Sequence, residues 1–254
     1  MNTLDLAKLR EHVNVTIVDF HESRIKLLRN FKLHNLLKKN PYLFRAKHIT
    51  KAQDLIEGPL NTRLALSEER LFGYFLEDLA IHIANQTCGG HKSAAQGVDL
   101  EFINGDVYYI VSVKSGPNWG NSSQHKKLAQ DLRNAEIKIK QSKDISVEPV
   151  LGICYGKTRS SYMKAGYLKI VGQNFWYLLS GNPDLYTDII EPIGYQAREH
   201  NLTFDKQKGE IVNQLTNQFY QEFCDSQGAI DWVKLVQFNS GNYDLGRAWG
   251  QADS

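Results

Sequence analysis

The sequence is poor in cysteine and proline and carries almost no excess of either charge. Its three cysteines, Cys88, Cys154 and Cys224, are scattered without CxxC spacing, which argues against a disulfide framework or a thiolate zinc site and fits a reducing compartment. His82 and His91 flank Cys88 without zinc-ligand spacing. Thirty Lys and Arg stand against 28 Asp and Glu, a net +2. That balance excludes a globally supercharged nucleic-acid coat but leaves local patches open. No apolar run approaches the roughly 18 residues of a membrane span, and Asp5, Lys8 and Arg10 interrupt the few apolar residues at the start of the chain. No membrane partner is expected, and the chain reads as soluble and cytoplasmic. Neither an internal repeat nor a low-complexity linker is visible.

What is present is an ordinary globular composition, 42% apolar and 11% aromatic. It leads us to expect a single domain over 1–254, with 1–60 mainly helical. Residues 24–51 carry nine basic side chains and no acid, where about three acids would be usual. This is either a solvated helix or a surface facing phosphates. Its leucines suggest a helix that should end at Asn40-Pro41, because the residue before proline is pushed out of the helical region. Ser67 is a plausible N-cap for a helix to about residue 85 whose apolar face is Leu71, Phe72, Phe75, Leu76, Leu79 and Ile83. Glu77 falls opposite that face with Gly73, Ala80 and Ala84, either as a merely exposed acid or as a carboxylate on a face where something approaches the helix closely.

Residues 98–114 read as a β-hairpin. Its turn is either Asn104-Gly105 or Gly105-Asp106, and both leave the same side chains on the same faces. Val98, Leu100, Phe102, Val107, Tyr109, Val111 and Val113 form a core face. Asp99, Glu101, Ser112 and Lys114 share the other. A loop of Gly, Pro, Asn, Trp and Ser follows, then a helix over about 124–142 and a buried apolar strand over 149–155. Strand, helix and buried strand make a right-handed βαβ crossover. Further on we expect a strand over 167–171 and helices over 174–180, 184–199 and 208–225.

A carboxylate and an ammonium on one hairpin face are the groups that phosphodiester hydrolysis requires. The acid holds a divalent cation against the phosphate, and the amine positions the attacking water and stabilises developing charge. Many amphipathic hairpins carry such residues toward water, so the adjoining loop matters. It offers Asn118, Trp119, Asn121, Ser122 and Ser123, then Gln124, His125, Lys126 and Lys127 at a helix start, a set suited to phosphate and base-edge contacts. Arg159, Tyr162 and Lys164 lie after the buried strand, where they either reach DNA or form a plain surface loop. Trp232 and Trp249 read as packing and a frayed end.

The order Gly73-xxx-Glu77, Gly97-Val-Asp99 and Ser112-Val-Lys114, followed by a helix and a buried strand, resembles the PD-(D/E)XK nuclease fold of type II restriction endonucleases. The run from Ser112 to Gln124, with Asn40-Pro-Tyr-Leu-Phe, Gly152-Ile-Cys-Tyr-Gly156 and Phe175-Trp176, is similar to the PmeII-like and GGNCC-type enzymes. The likeness covers roughly residues 40–195. It implies an α/β fold: a mixed central sheet, hairpin plus right-handed crossover, flanked by helices and preceded by a basic helical segment. It further implies that Asp99, the main-chain carbonyl of Val113 and Glu77 hold Mg²⁺, and that Lys114 stands beside the attacking water. Ser112 is a departure, since the pattern asks for Glu or Asp; Glu77 or Glu101 would supply the missing charge, or one ion would bind weakly. The implied protein is a homodimer in a prokaryotic cytoplasm that cuts double-stranded DNA at a palindromic or interrupted-palindromic site, with a cognate DNA methyltransferase as genetic partner. A non-catalytic DNA-binding protein on a decayed nuclease fold and a structure-specific repair or mobile-element nuclease are the alternatives.

Overall fold

A computed structural model describes residues 1–242; Trp249 lies outside the described residues. In chain order the elements are α1 (Leu6–Arg29), α2 (Leu33–Leu36), α3 (Pro41–Ala46), α4 (Ala52–Cys88), β1 (His91–Lys92), β2 (Leu100–Asn104), β3 (Val107–Lys114) and α5 (Ser122–Ser142). There follow β4 (Ser146–Ile153), β5 (Ser161–Met163), β6 (Tyr167–Val171), α6 (Gln173–Ser180), α7 (Leu185–Asp188), α8 (Ile190–Ile193), α9 (Ala197–Phe223) and α10 (Trp232–Ser240). The chain divides into two compact units, one of residues 1–22 and 69–198, the other of 23–68 with the described residues from 199 onward. Among the described residues no helix is long and apolar enough to cross a membrane.

The first unit is built on a six-stranded mixed sheet in the order β1-β2-β3-β4-β6-β5. β2 and β3 form the antiparallel hairpin, β3 pairs with β4 in parallel across the α5 crossover, and β4 pairs with β6 in parallel. This is the mixed α/β, restriction-endonuclease-like architecture that the sequence implies. Both faces of the hairpin and of β4 are covered. Leu100, Phe102, Val111, Val113 and Val150 pack with Phe75, Leu79, Ala80 and Ile83 of α4. Tyr108, Ile110, Leu151 and Ile153 pack with Leu128, Leu132 and Ala135 of α5. The face that carries Asp99 and Lys114 is therefore covered along its middle. Val98 joins the α5 side, not the expected core face: Gly97 turns the chain at φ +75, and β2 pairing begins only at Leu100.

The second unit buries Leu28, Leu33, Leu36 and Leu37 with Leu55, Ile56, Leu60 and Leu64 against Phe204, Leu215 and Phe219. Its basic segment is partly occupied internally. Arg24 Nε donates to Glu68 Oε1 at 2.7 Å, and its guanidinium lies 4.0 Å over the Phe204 ring. Asn40-Pro41 opens a helix where we expected one to end. Asn40 is extended, as proline requires of its predecessor, and its side chain caps Leu43 N while Pro41 takes the first helical position. Ser67 is not an N-cap, because α4 runs unbroken through it. The expected helix over 184–199 is broken into α7 and α8, and Gln196 at φ +49 interrupts the chain before α9 begins at Ala197.

Candidate active site

The hairpin turn decides what meets at its open end. Asn104 pairs with Val107, leaving Gly105 at φ +61 and Asp106 outside the left-handed region, so the Gly-Asp turn is the one used. Extending that register sets Asp99 across from Ser112. The chain reaches Asp99 through Gly97, where a side chain has no room: a Cβ there would lie 2.6 Å from Asp131 Cβ on α5. Asp99 N–H then donates to the Val111 carbonyl at 2.8 Å, tying the residue to β3.

Asp99 Oδ2 accepts three hydrogen bonds, from Val113 N at 2.7 Å, Ser112 Oγ at 3.2 Å and Lys114 Nζ at 3.3 Å. Lys114 Nζ also donates to the Val113 carbonyl at 2.8 Å. The ammonium thus bridges a carboxylate oxygen and a main-chain oxygen. The Asp99 and Lys114 side chains are 22% and 30% exposed, so the pair is reachable but partly desolvated, where charge interactions are stronger than in bulk water. Ser112 is only 1% exposed.

Glu77 reaches the same end of the sheet from α4. Gly73, one turn earlier, faces Ser115, with an added Cβ meeting its side chain at 4.0 Å. The charges of both Glu77 and Lys114 act on the buried Cys154 thiol, which burial pushes well above its ordinary range; Lys114 pulls it down and Glu77 pushes it up. The narrow stripe of Gly73, Glu77, Ala80 and Ala84 therefore borders the sheet, with the two alanines fully buried in its core. Glu77 Oε1 is paired with Lys92 Nζ at 3.3 Å. Glu101 is engaged at both oxygens, by the Ser93 hydroxyl and by Tyr108 OH, the latter at 2.6 Å. Burial and then that Glu101 contact push Tyr108 up to about 12. Among the described residues no group of three or more His, Cys, Asp or Glu side chains is gathered for a metal ion. The hard oxygens at this end are two carboxylates and a carbonyl.

The loop after Lys114 is packed as well as polar. Trp119 lies 4.4 Å from the His125 ring and 5.7 Å from Lys114 Nζ, centroid distances in each case. Gly116 passes under Tyr155, where a Cβ would sit 2.9 Å from Tyr155 Cε1. Asn121 is the N-cap of α5: its Oδ1 accepts from Ser123 N and Gln124 N at 3.1 Å, and Gln124 Oε1 returns to Asn121 N at 2.8 Å. This capping box starts the helix two residues earlier than expected and occupies the acceptor atoms of Asn121 and Gln124. Asn118, Ser122, Ser123, Lys126 and Lys127 are exposed, and Lys127 pairs with Asp131 at 3.0 Å. Sequence reasoning missed Lys92 and Ser93. They lie in and just after a two-residue strand, too short to show a period.

The model of the family described as type II restriction endonuclease EcoO109I matches residues 7–201. None of the curated proteins compared with the chain matches it. The matched stretch is more than half of the chain and contains the whole hairpin, loop and crossover. The chain belongs to the EcoO109I family of type II restriction endonucleases, nucleases that cut DNA at specific sequences.

Proposed function

We propose that the protein is a Mg²⁺-dependent homodimeric endonuclease that cuts a short palindromic or interrupted-palindromic duplex site, similar to the GGNCC-type enzymes, with its reaction centred on Asp99 and Lys114. One observation carries the reading: Lys114 Nζ stands 3.3 Å from Asp99 Oδ2 and 2.8 Å from the Val113 carbonyl at the partly open end of the hairpin. A twofold dimer matches the symmetry of such a site, and a site-specific cutter needs a methyltransferase to protect its host.

The oxygens fit a divalent cation. Asp99 Oδ2 and the Val113 carbonyl already hold a cation in common, the Lys114 ammonium, and hard oxygen donors suit Mg²⁺. Asp99, the Val113 carbonyl and Glu77 would hold the ion. When bound, it supplies positive charge against the scissile phosphate. Val113 N and Ser112 Oγ fix the Asp99 carboxylate in place, so it does not reorganise as the substrate arrives. Lys114 directs an N–H to the attacking water and to the charge that develops on phosphorus-bound oxygen. The products would carry a 5′-phosphate and a 3′-hydroxyl. Of the two candidate acids, Glu101 is held at both oxygens by Ser93 and Tyr108, whereas Glu77 meets an exposed lysine at one oxygen, Oε1, which favours Glu77. Asn118, Trp119, Asn121, Ser122, Ser123, Gln124, Lys126 and Lys127 form the loop and helix start that would face DNA.

Phage DNA incubated with the protein and Mg²⁺ should give discrete bands. Asp99→Ala and Lys114→Ala should each abolish them while site-containing DNA is still bound; substantial cutting by both variants would move the active site elsewhere. The buried Ser112 in place of an acid favours one second reading, a DNA-binding protein that no longer cleaves. Calorimetric titration with Ca²⁺ separates the two: heat of binding that disappears in Asp99→Ala supports the nuclease, and no binding supports the second reading.

A further inference from the structure

We propose that the groove between α5 and the β5–β6 hairpin is a second DNA-contact site, one that holds a sugar–phosphate strand of the substrate duplex beyond the catalytic hairpin. The groove encloses about 700 Å³. On one side Lys126, Ala129 and Arg133 line it from α5, at spacings of three and seven residues that put them on one helical face. Lys126 and Arg133 are then about 10 Å apart along the axis, or about three base-pair rises of duplex. On the other side stand Tyr162, Met163 and Lys164. Gly166 at φ +88 closes this turn, with its N–H on the Met163 carbonyl at 3.0 Å.

Charge and surface both select the occupant. The described lining residues include Lys126, Arg133 and Lys164 and no acid, so the rims are cationic where a phosphate strand would run. The same two walls carry Ala129 and two exposed apolar side chains, Tyr162 at 69% and Met163 at 38%. They offer apolar surface for deoxyribose carbons. Tyr162 OH donates to Glu148 at 2.7 Å, which holds the ring while leaving most of it open. The groove is also continuous with the catalytic loop, because His125 lines it and its ring lies tilted against Trp119 at 4.4 Å. The larger groove along α1 lacks this complementarity: Arg10 there stands with Glu11 and Asp19.

The proposal rests on duplex DNA being the substrate and not on which bases are read, so it can be tested with a labelled duplex of arbitrary sequence. Fluorescence anisotropy in Ca²⁺, over a salt series from about 50 to 200 mM, gives the slope of log affinity against log salt, which changes by about 0.9 for each phosphate contact. Arg133→Ala/Lys164→Ala should make the slope shallower by about two. Arg133→Lys/Lys164→Arg should retain the wild-type slope, which excludes misfolding as the cause. Lys8→Ala/Lys140→Ala removes two charges outside the groove and should leave the slope unchanged. Tyr162→Ala should weaken binding equally at every salt concentration. A wild-type slope in Arg133→Ala/Lys164→Ala, or an equal loss in Lys8→Ala/Lys140→Ala, would overturn the groove while leaving DNA binding intact. Failure of the wild-type protein to bind any duplex would overturn the DNA reading itself, and the groove with it.

Discussion

Ser112→Asp restores the acid that the nuclease pattern asks for and gives the sharpest test of the site. Ser112 Oγ lies 3.2 Å from Asp99 Oδ2 and the residue is 1% exposed, so the new carboxylate would stand about 4 Å from an existing one. Two like charges at that distance repel by about 4 kcal/mol at an effective dielectric of 20. The partial exposure of Asp99 and the nearby Lys114 ammonium reduce this to about 2 kcal/mol, and the lost Oγ–H donation adds about 1 kcal/mol. At about 2–4 °C per kcal/mol for a chain of this size, melting in EDTA should fall by about 6–12 °C. Mg²⁺ should offset most of this loss, because the same carboxylate would become an extra oxygen ligand: at a hundred times the dissociation constant, binding restores about 2.7 kcal/mol. Ser112→Ala serves as the control, losing the hydrogen bond alone and gaining no ion dependence. Thermal melts by circular dichroism with EDTA and with Mg²⁺ read both effects. If Ser112→Asp melts like the wild type in EDTA, or if Mg²⁺ raises Ser112→Ala and Ser112→Asp equally, the placement of the ion at Asp99 is wrong.

Other expectations concern the frame around the site. A Cβ at Gly152 would lie 2.6 Å from Cδ2 of the fully buried Phe175, so Gly152→Ala should cost about 2–3 kcal/mol; urea unfolding should show Phe175→Leu recovering part of the loss. Asn121→Ala removes the α5 cap and should cost about 1 kcal/mol, with Asn121→Asp retaining stability, in the same assay. His82 stacks 3.8 Å from His12, and burial, then the His12 charge, lower its pKa from the ordinary histidine value of 6.5. The unfolded chain therefore binds the proton more readily. His82's contribution is fully present above about pH 6.5 and is lost as pH falls through its lowered value, so His82→Gln should flatten the fall in melting temperature toward pH 5. An unchanged pH profile would remove His82 as the cause.

The hairpin was legible because two periods agreed. Alternation from Leu100 to Lys114 and the glycine between Asn104 and Asp106 left the faces the same whichever turn formed, and parity alone put Asp99 with Lys114. The crossover was legible for a similar reason, since the apolar run of β4 needs cover on both faces and α5 supplies one of them. Ser67 misled because a cap signal is local. Burial of Leu55, Ile56, Leu60 and Leu64 in the second unit carries α4 through it and outweighs the preference of a serine for a helix start. Asn40-Pro41 is locally ambiguous in the same way: an extended residue before proline ends one helix or caps the next. Lys92 and Ser93 left no sequence signal, since their positions follow from pairing of β1 with β2 and not from any spacing along the chain.

The burial of position 112 gives a physical reason for a serine there. Its neighbours on that face, Ile110 and the leucines of α5, exclude water, and an unpaired carboxylate among them would be costly without an ion. A serine keeps the fold stable with no ion bound, since Ser112 Oγ, Val113 N and Lys114 Nζ together satisfy Asp99 Oδ2. The same arrangement has a consequence for the proposed chemistry. In the proposed reading two carboxylates, Asp99 and Glu77, would hold the ion where the pattern would offer three, and the Lys114 ammonium would have to leave Asp99 Oδ2 and the Val113 carbonyl for them to do so. The freed ammonium would then be able to turn toward the attacking water, which would couple the arming of Lys114 to occupancy of Asp99 and the Val113 carbonyl.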